Sequence, residues 1–499
     1  MQLMLSLEAG STGPLYKQMA NAICKAIESG ALRRGQVMPS TRELAECMSV
    51  SRLTARRCYE ELIGQGYIKT QSRGKTFVSN SVSVSPAPVS LSADNKKIDL
   101  SAFGKRILSY KNESSEPKPN VFAVTPHSLL PVARWQESLY EAVRDVGTEQ
   151  SLFESDPFGF LPLREQLQAL LSRTRGIVCS PEQIVVLPST EGGLDLLSRL
   201  ILNEDDLVAT EDPGFSGIRG SLKTSGAKVC PIALDHDGIR IDLLADMPQA
   251  PRLIYVTPSH QDTLGMPMSR SRRHRLLQWV VSNNSIIVED DYDSEYRYGE
   301  EPMPALFSQD LSGSVVYKYN FWKSLYPLVK LSFMVIPAAL IPSFRQTLSA
   351  IRPEMPLLEQ IALASFIRKG HYERHLHRCR KAYACKRASL IHALTKVSGN
   401  KVKFSHQTGG TSLLAQFPAH ISESAIEAGA EQAGITMLAT RENYAVSESP
   451  KNQYLISFSD IDEDKIDIQI SLFMQLLHVE DYAIPVPAFV SEQMWQKSS

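Results

Sequence analysis

Nowhere in the 499-residue chain do about 18 apolar residues follow one another, which argues against a membrane-spanning helix. The start, MQLMLSLEAGSTG, is only briefly apolar and carries no basic leader, so no secretory signal is expected. Cysteine is sparse and unpaired in pattern. Cys24, Cys47, Cys58, Cys179, Cys230, Cys379 and Cys385 are scattered, odd in number and form no C-x-x-C pair. That spacing argues against a disulfide framework and fits free thiols in a reducing cytoplasm, the expected location. No internal repeat is found. Neither sign of charge dominates, since the net charge is −1.

What is present is ordinary globular material, 43% hydrophobic and 21% charged, in a chain too long for one compact core. Two or more domains follow. The charge is unevenly spread: residues 1–80 hold eleven Lys and Arg against six Asp and Glu, leaving the rest of the chain acidic. A small basic module on a mildly acidic body points to a polyanionic partner, although a solvated basic face is equally compatible with charge alone.

Residues 10–79 read as that module. After Pro14, apolar residues at Leu15, Met19, Ile23 and Ile27 have helical spacing, stopped by Gly30. Ser40 opens S-T-R-E with Glu43 at the capping-box offset, predicting a short helix over about 41–48. Ser49-Val50-Ser51 forms a turn, and Ser51 caps a third helix carrying Leu53, Tyr59, Leu62 and Ile63. Strands at 67–71 and 76–79 flank Ser72-Arg73-Gly74 as a hairpin. Three helices and a hairpin make a small α+β winged helix-turn-helix.

Residues 80–119 read as a linker, serine- and proline-rich at first and then NESSEPKPN. From 120 to 479, strand-like runs (IVVL 184–187, LVA 207–209, LIYV 253–256, IIV 286–288, VVY 315–317) alternate with amphipathic helices. That alternation predicts an α/β domain with a mostly parallel sheet. Residues 480–499 read as a tail.

A helix-turn-helix presents short polar and basic side chains to base edges and phosphates from its second helix. The third predicted helix starts Ser51-Arg52-Leu53-Thr54-Ala55-Arg56, with Arg52 and Arg56 on one face. The stretch PLYKQMANAICKAIESGALRRGQVMPSTRELAECMSVSRLTARRCYEELIGQGYIKTQSRGKTFV resembles the GntR family of winged helix regulators nearly throughout. The resemblance implies binding of a duplex DNA operator through Arg42, Ser51, Arg52, Thr54, Arg56 and Gly74. Leu53 stands where a small polar residue is usual.

In the large domain Lys323 follows the strand VVYKYN, in N-F-W-K-S-L-Y-P. The strand IIVEDD ends in carboxylates, which are costly there unless they face a cation. LIYV is followed by Thr257-Pro258-Ser259-His260-Gln261. After IVVL, Ser189-Thr190-Glu191-Gly192-Gly193 opens a helix, an anion-binding arrangement. These features call for one ligand with an aldehyde, a protonatable ring nitrogen and a phosphate, and pyridoxal 5′-phosphate (PLP) has all three. On DPFGFLPLREQL, EDPGF, LIYVTPSHQ, IIVEDDYDSEYRY and KGHYERHLHRCRKAYACKR, residues 120–475 resemble a PLP-dependent fold-type I aminotransferase, as in the MocR/GabR group of GntR regulators. The resemblance implies a Schiff base on Lys323, Asp290 against the pyridinium nitrogen and Tyr292 on the ring hydroxyl with His260 nearby. It also implies Phe215 stacked on the ring, and Thr190, Glu191 and Lys330 at the phosphate.

Several positions depart from that pattern. Trp322 replaces a small hydroxyl residue, Lys330 replaces an arginine, Thr263 and Leu264 replace the residues usual after His-Gln, and YLISFSD (454–460) lacks an arginine for a substrate carboxylate. His371, His375, His377 and Cys379 invite a metal reading, but they fall in a stretch matching a family helix whose histidines are not ligands, so no metal is expected. Three functions remain open: a dimeric transcriptional regulator that senses PLP or a small amino compound, a working aminotransferase with a DNA-binding arm, and a cofactor-free dimerising regulator. The altered residues favour the first, with no membrane partner and a homodimer as the expected assembly.

Overall fold

The computed structural model describes residues 13–71, 75–79, 99–109, 122–146, 156–299, 303–351, 355–399, 401–405 and 409–477. The chain divides into two compact units between Asp99 and Leu100.

In the first unit, helix α1 (Leu15–Glu28) buries Met19, Ala20, Ile23, Cys24 and Ile27 along one face. Helix α2 (Thr41–Cys47) starts in a full capping box: the Glu43 amide donates to Ser40 Oγ at 3.2 Å, and the Ser40 amide donates to Glu43 Oε2 at 2.7 Å. Ser49, at φ 52°, turns the chain toward α3 (Arg52–Gly64). That helix buries Ala55, Cys58, Tyr59 and Leu62 against α1 and the hairpin. Tyr59 takes its hydroxyl into the module by donating to Pro39 O at 2.7 Å. Strands β1 (Ile68–Thr70) and β2 (Thr76–Val78) pair antiparallel, with Ile68 opposite Val78. The hairpin tip, with Arg73 and Gly74, lies outside the described residues.

The second unit is built on an eight-stranded sheet. Its strands are β3 (Ile184–Leu187), β4 (Leu207–Asp212), β5 (Lys228–Asp235), β6 (Gly238–Ile239), β7 (Leu253–Val256), β8 (Ile286–Asp290), β9 (Val315–Asn320) and β10 (Ser332–Val335), in the order β3-β10-β9-β8-β7-β4-β5-β6. Strands β5, β4, β7, β8 and β9 run parallel, while β10 is antiparallel to both β9 and β3. β3, β7 and β10 are buried along their whole length, as expected where helices cover both faces. Val185 and Leu187 of β3 pack with Leu194 and Leu197 of the helix Thr190–Ile201, while Ile184 and Val186 point to the opposite core with Leu163, Leu167 and Ile361. At Gly193 a Cβ would stand 2.5 Å from Leu187 Cδ1 and 2.6 Å from Met334 Sδ, so only glycine lets this helix lie so close to the sheet.

A smaller antiparallel sheet follows, of β11 (Lys403–Phe404), β12 (Ser412–Gln416), β13 (Met437–Ala439) and β14 (Gln453–Ser457), ordered β11-β12-β14-β13. The Asp212 carboxylate, at the end of β4, accepts the amides of Ala445, Val446 and Ser447 and ties this subdomain to the large sheet. Burial pushes its pKa up, but these amides outweigh it and hold it below the usual range.

The stretch read as a linker is not wholly one. A helix, Ala102–Ser109, docks on the second unit. Arg106 pairs with Glu204 at 3.1 Å and donates to Thr224 O, and Arg199 lies over the Phe103 ring. The serine- and proline-rich surroundings mask this short amphipathic segment in the sequence.

Candidate functional site

The described residues expected to read DNA cluster on α3 and the start of α2. Ser51 Oγ accepts the Thr54 amide at 3.1 Å and shares a hydrogen bond with Thr54 Oγ1 at 2.8 Å. Ser51 thus caps the helix from outside its first turn. Arg52 and Arg56 are exposed, as is Arg42 on α2. Arg42 pairs with Glu46 at 3.1 Å and Arg56 with Glu60 at 2.9 Å, both solvent-exposed i,i+4 pairs of small worth that an arriving phosphate can displace. Arg52 forms no ion pair with a described residue. Leu53 is 60% exposed, a large apolar side chain left in water at the start of the helix.

The second cluster forms at the C-terminal ends of the parallel strands, where α/β sheets hold ligands. Tyr292, just past β8, lies 3.0 Å from His260 Nδ1, which also meets Asp293 Oδ2 at 2.9 Å. Asp290, the last residue of β8, has Lys318 Nζ at 2.9 Å from Oδ2, and the same oxygen accepts from Tyr255 OH. Asp290 Oδ1 is buried and has no partner among the described residues. Lys323, in the short helix Trp322–Leu325 after β9, donates to Phe122 O at 2.9 Å and Ala123 O at 3.4 Å. Desolvation lowers the pKa of its amine, against the pull of Asp293, Asp262 and Asp460. Asp262 joins the groups into one neighbourhood: desolvation raises its carboxyl to about 6, and it feels the charges of Lys323, Asp290, Asp293 and His260.

Thr190 and Glu191 are the first two residues of the helix Thr190–Ile201, so their amides lack intrahelical acceptors, while the Gly192 amide is taken by Ser189 Oγ at 3.0 Å. Lys330 is exposed, its Nζ 5.9 Å from the Tyr326 ring centroid, and the Trp322 ring packs on the same Tyr326 ring with centroids 3.8 Å apart. Phe215, 41% exposed, caps the helix Ser216–Thr224 three residues beyond β4. Nothing ties Phe215 or Lys330 to the Asp290–Tyr292–Lys323 group by a direct contact among the described residues.

Carboxylates at the end of β8 are costly unless they face a cation, and the chain itself supplies two: Lys318 for Asp290, and Arg175 for Asp291 at 2.7 Å. Lys318, Tyr255, Asp262 and Asp293 were not singled out. The signal for Lys318 was available only through strand register, which sets it directly beside Asp290 on the neighbouring parallel strand. Of the histidine group, His375 is buried, its Nε2 2.8 Å from Ser324 O, and desolvation lowers its pKa to about 4. The described residues that approach metal-binding geometry lie elsewhere, at Asp235, His236 and Asp237.

Two family models match the chain: bacterial regulatory proteins of the gntR family over residues 15–78, and aminotransferase class I and II over residues 129–315. The chain is 31% identical to the uncharacterized HTH-type transcriptional regulator YhdI of Bacillus subtilis, covering 93% of this chain and 96% of that one. It is 30% identical to the probable rhizopine catabolism regulatory protein MocR of Rhizobium meliloti, covering 92% and 93%. Its fold is similar to that of the kynurenine aminotransferase of Pyrococcus horikoshii, with a TM-score of 0.64 and 24% identity over 72% of this chain and 90% of that one.

Proposed function

The chain belongs to the MocR-type family of HTH transcriptional regulators, which join a GntR domain to an aminotransferase class I and II domain, and from that premise we propose that it binds an operator through α3 and holds PLP on Lys323 as a ligand that governs this binding. The observation that carries the cofactor half is Asp290 Oδ1, a buried carboxylate oxygen without a partner among the described residues, in the same electrostatic neighbourhood as a desolvated lysine.

When bound, PLP supplies an aldehyde and an electron-withdrawing ring. The residues around it do the rest. Lys323 offers an amine that desolvation makes easier to deprotonate and hence more nucleophilic. Asp290 Oδ1 would accept the hydrogen bond of a protonated ring nitrogen. Tyr292, held by His260, which is held in turn by Asp293, would orient the ring hydroxyl. The amides of Thr190 and Glu191, at a helix start, would donate to a phosphate. Lys330 would add a cation without a bidentate fork.

Turnover is another matter. Transamination needs the substrate carboxylate held so that its α-proton faces a base. β14 has no arginine, and Arg441, before it, is engaged by Glu423 and Glu427 at 2.8 and 3.3 Å. A small amino compound therefore enters as an effector that forms a complex and stays, and its differential contacts shift the DNA-binding state. The Lys318–Asp290 pair favours a second reading, in which the domain only joins two chains and takes no cofactor. Binding isotherms of the wild type and Lys323→Ala on a selected operator, with and without PLP, test the proposal. PLP should shift the wild-type isotherm and leave that of Lys323→Ala in place; isotherms indifferent to PLP in both would sink it.

A further inference from the structure

Half of Asp290 is already occupied by this chain. Lys318 lies on β9 in register with Asp290, is 2% exposed, and donates at 2.9 Å both to Asp290 Oδ2 and to Tyr255 OH. Its Nζ also stands 5.2 Å from the Tyr255 ring centroid. Tyr255 closes the triangle by donating to the same carboxylate oxygen. No other acceptor is within hydrogen-bond reach of Lys318 Nζ among the described residues. A buried carboxylate left without a cation is costly, and a ligand that brought one would be held tightly. Here the countercharge is internal.

We infer that Lys318 is a positioning residue that supplies the countercharge of Asp290 when no ligand is present and weakens its hold on a bound ring nitrogen, making PLP an exchangeable ligand. The inference rests on the reading that the pocket takes PLP. Two effects act in the same direction. Lys318 draws on the carboxylate that would stabilise a protonated ring nitrogen, and its own positive charge repels that proton. Asp262, Asp293, His260 and Lys323 make up the rest of this neighbourhood, and a change at Lys318 alters none of them directly. A pocket that is stable without its ligand can empty and refill with the concentration of PLP, as a sensor must.

The test uses the full-length protein with PLP labelled with ¹⁵N in the ring. The ring-nitrogen shift, followed against pH, reports its protonation, and fluorescence titration reports affinity. In Lys318→Met the ring-nitrogen pKa should rise by about one unit or more and PLP should bind about tenfold tighter, one unit being a factor of ten. Lys318→Arg, which keeps the charge, should stay near wild type. Thermal melts without PLP give a second readout that also serves if Lys318→Met folds poorly. Lys318→Met should melt earlier, and adding Asp290→Asn should restore much of the loss, because the uncompensated charge is gone. If the wild type takes up no PLP, the functional reading falls and this inference with it. If the wild type binds PLP but Lys318→Met leaves ring-nitrogen pKa and affinity unchanged, or if the two substitutions are additive in the melts, only this inference is overturned.

Discussion

At the scale of single residues, the most telling groups are those whose environment opposes their ordinary charge. Desolvation raises the Glu295 carboxyl to about 8 and that of Glu211 to about 7. Glu295 Oε2 has no partner among the described residues, and its Oε1 accepts from Tyr372 at 3.3 Å. A carboxyl whose folded pKa lies above its unfolded value binds more protons folded than unfolded between the two. Stability should therefore fall as pH rises from about 4.5 toward 8. Glu295→Gln, which keeps the shape and cannot ionise, should flatten that slope in thermal melts taken across the range; an unaltered slope would contradict the assignment. On the other unit, Arg52 is exposed at the start of α3 with no described ion-pair partner. Arg52→Ala should cost about 1–3 kcal/mol in operator binding and relax sequence preference, measured by footprinting against variant sites. Leu53, exposed beside it, suits contact with a thymine methyl rather than hydrogen-bonded readout.

Elements were largely legible in the sequence because their signals are local. The capping box at Ser40, the cap at Ser51 and the apolar spacing of α1 each announce a helix without reference to the rest of the chain. IVVL and LIYV announce strands by composition. What was not legible depends on neighbours in space. Lys318 is one residue of a strand until register sets β9 against β8, and then it is the partner of Asp290. The helix Ala102–Ser109 was hidden by the polar stretches on either side and is held by Arg106 contacts to residues about a hundred positions away. Two predictions belong at this scale. Ser51→Ala removes the cap of α3 and should destabilise the first unit by about 1 kcal/mol, read as an earlier melt of that unit. Gly193→Ala would set a Cβ against Leu187 and Met334 and should cost about 1–3 kcal/mol of the large unit's stability. A melt unchanged by this substitution would show that the helix Thr190–Ile201 can shift away from the sheet.

At the scale of the molecule, a DNA-reading unit and an aminotransferase-like unit share one chain, and the family shows that the whole is a transcriptional regulator. We expect a homodimer through the large unit, as the resemblance to fold-type I aminotransferases implies. The operator should then carry two half-sites. Light scattering at micromolar concentration checks this, and a monomer that protects a single half-site would contradict it. The central claim, that a regulator's large unit carries PLP on Lys323, is tested most directly by incubating the full-length protein with PLP, reducing with borohydride to fix the link, and mapping the modified peptide by mass spectrometry. The account predicts one phosphopyridoxyl group per chain on the peptide containing Lys323, with a visible absorption band before reduction that is lost in Lys323→Ala. A colourless protein with no modified peptide, or label spread over surface lysines at the same level in Lys323→Ala, would contradict it.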